Sequence, residues 1–320
     1  MDVYLLNKSN KIDITQIITS LTISGEYRSC CRNLDFGIIK NQTDLNTHIV
    51  SINLGDNIQV MDNGKTLFHG IVWSRDKISD GNEINISCRD FGIYLIKNVA
   101  SYKFTNMTPE AIANKLCKDF KLNIGDIAPT YIPISRNYLG YTLYDIIMSS
   151  YTLANDKKYM CIFKGDKFNI VEKGLIKGTP LKSGMNLLTS SVSETLNDMV
   201  NRVNIYNEDD VLIKPVENSS NISLYGLMTE YIKVYDDKEN YNLKAQKMLN
   251  GITQKISVTN FGDTSYITGN AVVVTEPYQG LKGLFFIDSD NHNWKNGIYT
   301  NKLTLNFKNL MDEKEGGSIG

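Results

Sequence analysis

The sequence predicts a mainly β fold with an α+β insert, arranged as two similar small β-barrel domains plus a compact α+β domain. Three observations lead there. Apolar and polar residues alternate at period two through the first hundred residues and again from about residue 185, as in strands with one buried face. Between these stretches, from about residue 105, the apolar spacing turns helical. A glycine-led strand pattern near residue 55 recurs near residue 269, as if one barrel type were used twice.

In the first stretch Ile84, Ile86 and Cys88 alternate with Glu83, Asn85, Ser87 and Arg89. Ile58 and Val60 alternate with Asn57 and Gln59, Asn63–Gly64 supplies a hairpin turn, and the return strand runs through Leu67, Phe68, Ile71, Val72 and Trp73. Asp80–Gly81 reads as the next turn. A small antiparallel barrel or sandwich is the natural architecture. Thr108 then caps a helix with Pro109 at its first position, and Ile112, Ala113, Leu116, Cys117 and Phe120 mark one face. A second helix starts at Thr142, with Asp145 as capping-box partner and Leu143, Ile146, Ile147, Tyr151 and Ala154 as its apolar face. A hairpin follows, with Tyr159, Cys161 and Phe163 on one strand, a Gly165–Asp166 turn, and Phe168 and Ile170 on the other.

Beyond residue 185, Val203 and Ile205 alternate with Arg202, Asn204 and Tyr206. One helix, around Glu239–Asn250 with Leu243, Lys247 and Leu249, interrupts strands at Ile256–Val258, Ala271–Val274, Leu284–Ile287 and Leu303–Phe307. The expected divisions are a first β-barrel domain at 1–102, an α+β domain at 103–178, a second β-barrel domain at 179–310 and a flexible tail at 311–320, which is charged and glycine-rich. The repeat sets Gly55–Val60, with Gly70 fifteen positions after its glycine, against Gly269–Val274, with Gly283 fourteen positions on.

At 320 residues, 42% hydrophobic and 22% charged, the chain can bury a sizeable core. A formal net charge of −1 and the lack of a Lys/Arg run leave no bulk attraction to nucleic acid or anionic membrane. No secretory signal and no apolar run of about 20 residues is expected. Five cysteines, Cys30, Cys31, Cys88, Cys117 and Cys161, form an odd set without C-x-x-C spacing and fit a reducing cytoplasm.

Motifs for chemistry are scarce. Gly64-Lys65-Thr66 ends like a phosphate loop, but position 59 is Gln where a glycine is required, and the segment reads as a hairpin turn. His48, His69 and His292 stand outside any H-E-x-x-H pattern. The densest candidate is Asp288-Ser289-Asp290-Asn291-His292-Asn293-Trp294, where Asp288, Asp290 and His292 could chelate a metal from one strand face. It departs from a calcium loop, with Asn293 and Tyr299 at the glycine and glutamate positions, and a polar bend leading to the Asn296–Gly297 turn is the favoured reading. Tyr206, Tyr225, Tyr231 and Tyr235 read as core or subunit contacts before a sugar site. No catalytic, cofactor-binding or metal residue is therefore assigned, no cofactor is expected, and the chain reads as no enzyme.

The order of segments carries more than any motif. Leu54–Ile58 with Phe68–Val72, the helix Pro109–Leu122, Tyr141–Tyr151, the hairpin Lys158–Val171, Met199–Val203 and Tyr225–Glu230 come first. Ala245–Leu249, Gly269–Val274, Gly283–Ile287, Asp290–Trp294 and Met311–Glu315 complete the series. Together they resemble the XkdQ/YqbQ family of phage-like tail proteins, related to the baseplate hub and late-control-D-type proteins of contractile tails. The resemblance implies a homotrimer of chains with two similar barrels each, joining a three-fold central spike to a six-fold tail tube within a virion or bacteriocin baseplate. Its implied partners are the tube or tube-initiator protein, the spike and other baseplate proteins, with no nucleic-acid contact required and no membrane insertion. A tail-associated peptidoglycan hydrolase and a tail-tip sugar- or receptor-binding module are the alternatives.

Overall fold

The period-two alternation of the first hundred residues becomes seven strands: β1 (Asp2–Asn7), β2 (Asn10–Asp13), β3 (Ile18–Glu26), β4 (Asn33–Ile39), β5 (Asn57–Asp62), β6 (Lys65–Lys77) and β7 (Glu83–Asp90). The computed structural model describes residues 1–7, 10–39, 50–77, 83–235 and 240–318. The expected Asp80–Gly81 turn, His48 and the Glu239 helix start lie outside these residues. Asn63 and Gly64, both at positive φ, make the expected β5–β6 hairpin turn. Val3, Leu5, Leu34, Phe36, Ile58, Val60, Ile86 and Cys88 form the core of this stretch. A short helix α1 (Ile93–Lys97) ends it.

Next come β8 (Val99–Met107), α2 (Pro109–Asp119), β9 (Asn123–Ile127), β10 (Ile134–Thr142), α3 (Leu143–Ala154), β11 (Tyr159–Lys164) and β12 (Lys167–Glu172). Both helices start where their caps predict, and Thr142 Oγ1 accepts the Asp145 N–H at 3.0 Å. The α3 face Leu143, Ile146, Ile147 and Tyr151 packs on Ile112, Leu116, Cys161, Phe168 and Ile170. Each such burial is worth about 1.5–3 kcal/mol, which is what fixes two helices on a small sheet.

Residues 311–318 of the tail expected to fray are instead tied down. Met311 enters the same core. The Tyr144 hydroxyl donates to Asp312 at 2.8 Å, Lys314 N–H donates to Thr152 Oγ1 at 3.1 Å, and Ser318 exchanges backbone bonds with Asn137. Its charged residues thus find partners on α3 that composition alone does not reveal.

The chain then gives β13 (Leu181–Lys182), β14 (Leu187–Thr195), β15 (Arg202–Tyr206), β16 (Leu212–Glu217), α4 (Ser219–Tyr225), β17 (Thr229–Lys233) and α5 (Tyr241–Met248). It closes with β18 (Thr253–Phe261), β19 (Ala271–Glu276), β20 (Leu281–Lys295) and β21 (Ile298–Asn306). Strands take 54% of the residues and helices 15%, so the mainly β class holds. Ser191–Ile256 forms a unit of its own, the rest of the chain another. In the small unit β15 lies between antiparallel β16 and parallel β17, over a core of Val203, Ile205, Ile232 and Ala245. Buried Asn201 clamps it, donating to Gly226 O at 2.7 Å and accepting from Met228 N–H at 2.8 Å. Helix α4 was not expected, because its residues Ser219 to Tyr225 bury no side chain and show no apolar stripe. Gln254 donates to Glu194 at 2.6 Å, so the two ends of this unit lie side by side.

The large sheet runs β14-β18-β21-β20-β3-β4-β7-β6-β5-β1-β2, with β19 beside β20 and β13 beside β19. One succession occurs twice in it: β1, β5, β6, β7, β4, β3 and β13, β19, β20, β21, β18, β14. Each takes its strands from the chain in the same order, although β1 meets β5 antiparallel and β13 meets β19 parallel. The local geometry repeats as well. Gly55 N–H donates to Val72 O at 2.9 Å while Val72 N–H donates to Asp56 O at 2.8 Å. Gly269 and Ile287 make the same exchange at 3.0 Å, returned to Asn270 at 2.9 Å. Both glycines sit at positive φ, 84° and 90°, which explains the residue type. Immediately beyond, the β6–β7 register slips between Val72 and Ser74, and the β20–β21 register between Ile287 and Ser289. The later glycines are not equivalent: Gly70 faces Ile58, whereas Gly283 faces Val274, two rungs nearer the turn.

Candidate functional site

The Asp288–Trp294 segment is not a polar bend. It is the second half of β20, held between β21 and β3, and the chain turns only at Asn296–Gly297. Two paired neighbours satisfy its backbone, so it stays extended despite its polar composition. Asp290 and His292 share a face, as alternation requires, while Asp288 sits at the register slip and turns to Asn306; all three are buried.

Their partners decide what they do. Arg32, just before β4, grips both Asp290 oxygens, with Nη1 2.9 Å from Oδ1 and Nη2 on Oδ2. The Thr268 N–H and hydroxyl also donate to Oδ1, at 2.6 and 2.5 Å. His292 Nε2 lies 3.2 Å from Oδ2 and 3.1 Å from Tyr266 O. The Asn301 amide fixes the ring: its oxygen accepts from Asp263 N–H at 2.7 Å, so its nitrogen donates to Nδ1 at 2.8 Å. That leaves Nε2–H to donate. Burial alone would raise the Asp290 carboxyl, but the Arg32 charge and the His292 and Arg32 bonds outweigh it and hold it well below the carboxylate range. Asp288 looks elsewhere, accepting from Asn306 Nδ2 at 3.0 Å, and burial raises its carboxyl. The structure therefore does not gather these three side chains around one point, and among the described residues no His/Cys/Asp/Glu group stands ready for a metal ion.

Arg32, Thr268 and Asn301 were not singled out in the sequence. Asn301 carries a readable signal, since it occupies the buried period-two rung that Leu303 and Leu305 continue on β21. Arg32 carries none, because its meaning depends on a strand 258 residues away.

A cavity of about 220 Å³ adjoins this cluster, lined among others by Arg32, His69, Asp90, Phe163, His292 and Trp294. It is below the roughly 300–1,000 Å³ of small-molecule sites. Burial raises Asp90 from 3.8 to about 6, against the Gly92 N–H that it accepts at 2.9 Å. The folded protein then holds this proton more tightly than the unfolded chain, so the group's contribution is best below pH 3.8 and worsens as pH rises to about 6. At 1.36 kcal/mol per pH unit the effect is about 3 kcal/mol. Asp90→Asn, which keeps the acceptor, should gain up to that much over the native chain at pH 7.5 and almost nothing at pH 3.5, read from urea midpoints. Equal midpoints at both pH values would refute the dry carboxylate.

The remaining candidates yield little chemistry. Gly64-Lys65-Thr66 is a hairpin turn as expected. His69 packs edge-on against Phe91 at 5.0 Å, and burial lowers its imidazolium pKa. All five cysteines are free and buried. Burial pushes the Cys117 thiol up to about 12 and the others higher still, so thiolate is scarce at neutral pH. Tyr231 and Tyr235 are not core residues, being 63% and 69% exposed; Tyr206 stands edge-on to Tyr231 at 6.3 Å.

The arrangement is thus a clamp that ties β20 of one repeat to the β3–β4 corner of the other. A family model of YQBQ-like proteins matches residues 21–306. The chain belongs to the YQBQ-like family. The phage-like element PBSX protein XkdQ of Bacillus subtilis (strain 168) is 24% identical, over 93% of this chain and 94% of that protein. The YQBQ-like fold is shared with the 43 kDa tail protein of prophage MuSo2 from Shewanella oneidensis, at TM-score 0.75, 16% identity and coverage of 98% and 100% of the two chains. A tail protein from Neisseria meningitidis MC58 follows at TM-score 0.67 and 15% identity, covering 98% and 99%.

Proposed function

We propose that this YQBQ-like chain is a structural protein of a phage-like tail, and within it a baseplate hub of a contractile phage tail or tail-like bacteriocin. Three copies form a ring that adapts a three-fold spike to a six-fold tube. The doubled strand succession carries this reading, since three chains with two like modules each present six equivalent patches. The names of XkdQ, a phage-like element protein, and of the two tail proteins sharing the fold support the tail role. We assign the modules to residues 1–102 and 179–310, with 103–178 as the α+β domain between them. The tube or its initiator, the spike and other baseplate proteins are the proposed partners, and the virion or bacteriocin particle the place of work. A non-enzymatic role agrees with the capped Asp290 and the protonated thiols.

Light scattering coupled to size exclusion tests the ring: a mass near three times 36.1 kDa is expected. A persistent monomer at high concentration would remove self-assembly from the reading. The exposed Tyr231 and Tyr235 favour a second role, a sugar- or receptor-binding surface, which a titration of tyrosine fluorescence with cell-wall saccharides tests.

A further inference from the structure

We propose that β14 of one copy pairs with the edge of β6 that no described strand covers, at Ser74–Lys77, in a second copy, repeating between chains the β3–β20 pairing made within one. This rests on the ring reading and names its contact. The repeat makes β3 the counterpart of β14 and β6 the counterpart of β20. Past its register slip, β20 is paired on one side with β21 and on the other with β3, from Ser289 opposite Glu26 to Lys295 opposite Ser20. Past the equivalent slip, β6 is paired with β7 alone, from Ser74 opposite Ser87 to Lys77 opposite Ile84. Its pairing with β5 has ended at Ile71 opposite Asn57, and among the described residues no strand takes the vacated side.

The donor is the terminal strand at the opposite end of the same sheet, and beyond the bridge of Leu187 to Ser183 no second described strand pairs with β14. Like β3 it is nine residues long and rich in Ser and Thr, ITSLTISGE against LLTSSVSET. None of its residues is buried, and its first charge is Glu194. A long edge without Pro or an early charge lacks the devices that keep strands from pairing. Among the described residues one donor and one acceptor edge of the repeat are consumed inside the chain, and one of each remains. Their union is head-to-tail, so it closes into a ring if the module-to-module rotation allows and otherwise grows.

The test uses full-length chains. Variants with one added cysteine at positions 74 to 77, among them Asp76→Cys, are mixed in turn with Ser191→Cys, Ser193→Cys and Thr195→Cys chains and mildly oxidised, with masses read in parallel. The native cysteines are buried. At least one mixture should give a two-chain disulfide that neither variant forms alone, within a three-chain particle. A three-chain particle with no cross-link in any mixture overturns the strand pairing and leaves the ring. Cross-links in an open polymer support the pairing and overturn the ring, and a monomer without cross-links overturns both.

Discussion

Asp290→Ala should destabilise the large unit by about 3–5 kcal/mol, with Arg32→Ala close behind. The Asp290 side chain is fully inaccessible and that of Arg32 nearly so, at 0% and 10%. Truncating one partner leaves the other charge buried without compensation, which costs far more than the net worth of the pair. Alanine at 290 also strands the Thr268 N–H, aimed at the lost carboxylate from 2.6 Å. The double variant Arg32→Met with Asp290→Leu should recover most of the loss, because two apolar groups of similar volume need no pairing. Urea unfolding of the single and double variants reads this as a non-additive cycle. Single losses below about 1 kcal/mol would mean that water reaches the pair.

Gly70→Ala is the second large effect, expected at about 1–3 kcal/mol or above. A Cβ at Gly70 would stand 2.2 Å from Arg89 O, 2.7 Å from its carbonyl carbon and 2.8 Å from Asp90 Cα. These are backbone atoms of the paired strand β7, so no rotamer change relieves the contact and the two strands must part. Lys65→Ala, on the same hairpin but exposed, should stay within about 0.5 kcal/mol. Near-equal unfolding midpoints for the two variants would show that the sheet yields cheaply at this rung.

Helices α2 and α3 and the β5–β6 hairpin were legible because their causes are local: Thr142 with Asp145, Pro109 at a first turn, Asn63–Gly64 between alternating strands. Asp288–Trp294 reads as a bend in the sequence because its extended form depends on β3, far upstream, and its polar side chains on Arg32 and Asn306. Composition made Met311–Ser318 look loose, while the groups that hold it sit on α3 and β10. The repeat was visible in Gly55 and Gly269, where backbone geometry demands glycine, and misleading in Gly70 and Gly283, where equal spacing hid different rungs.

The side-by-side ends of the Ser191–Ile256 unit, joined through Glu194 and Gln254, have an evolutionary meaning. To the sheet, everything between β14 and β18 is one excursion that leaves and rejoins at neighbouring points. Such an excursion can be lengthened, shortened or exchanged without shifting a strand register, because loop closure grows only slowly with length. This is where diversification among relatives costs the scaffold least, and where a foreign domain can be grafted.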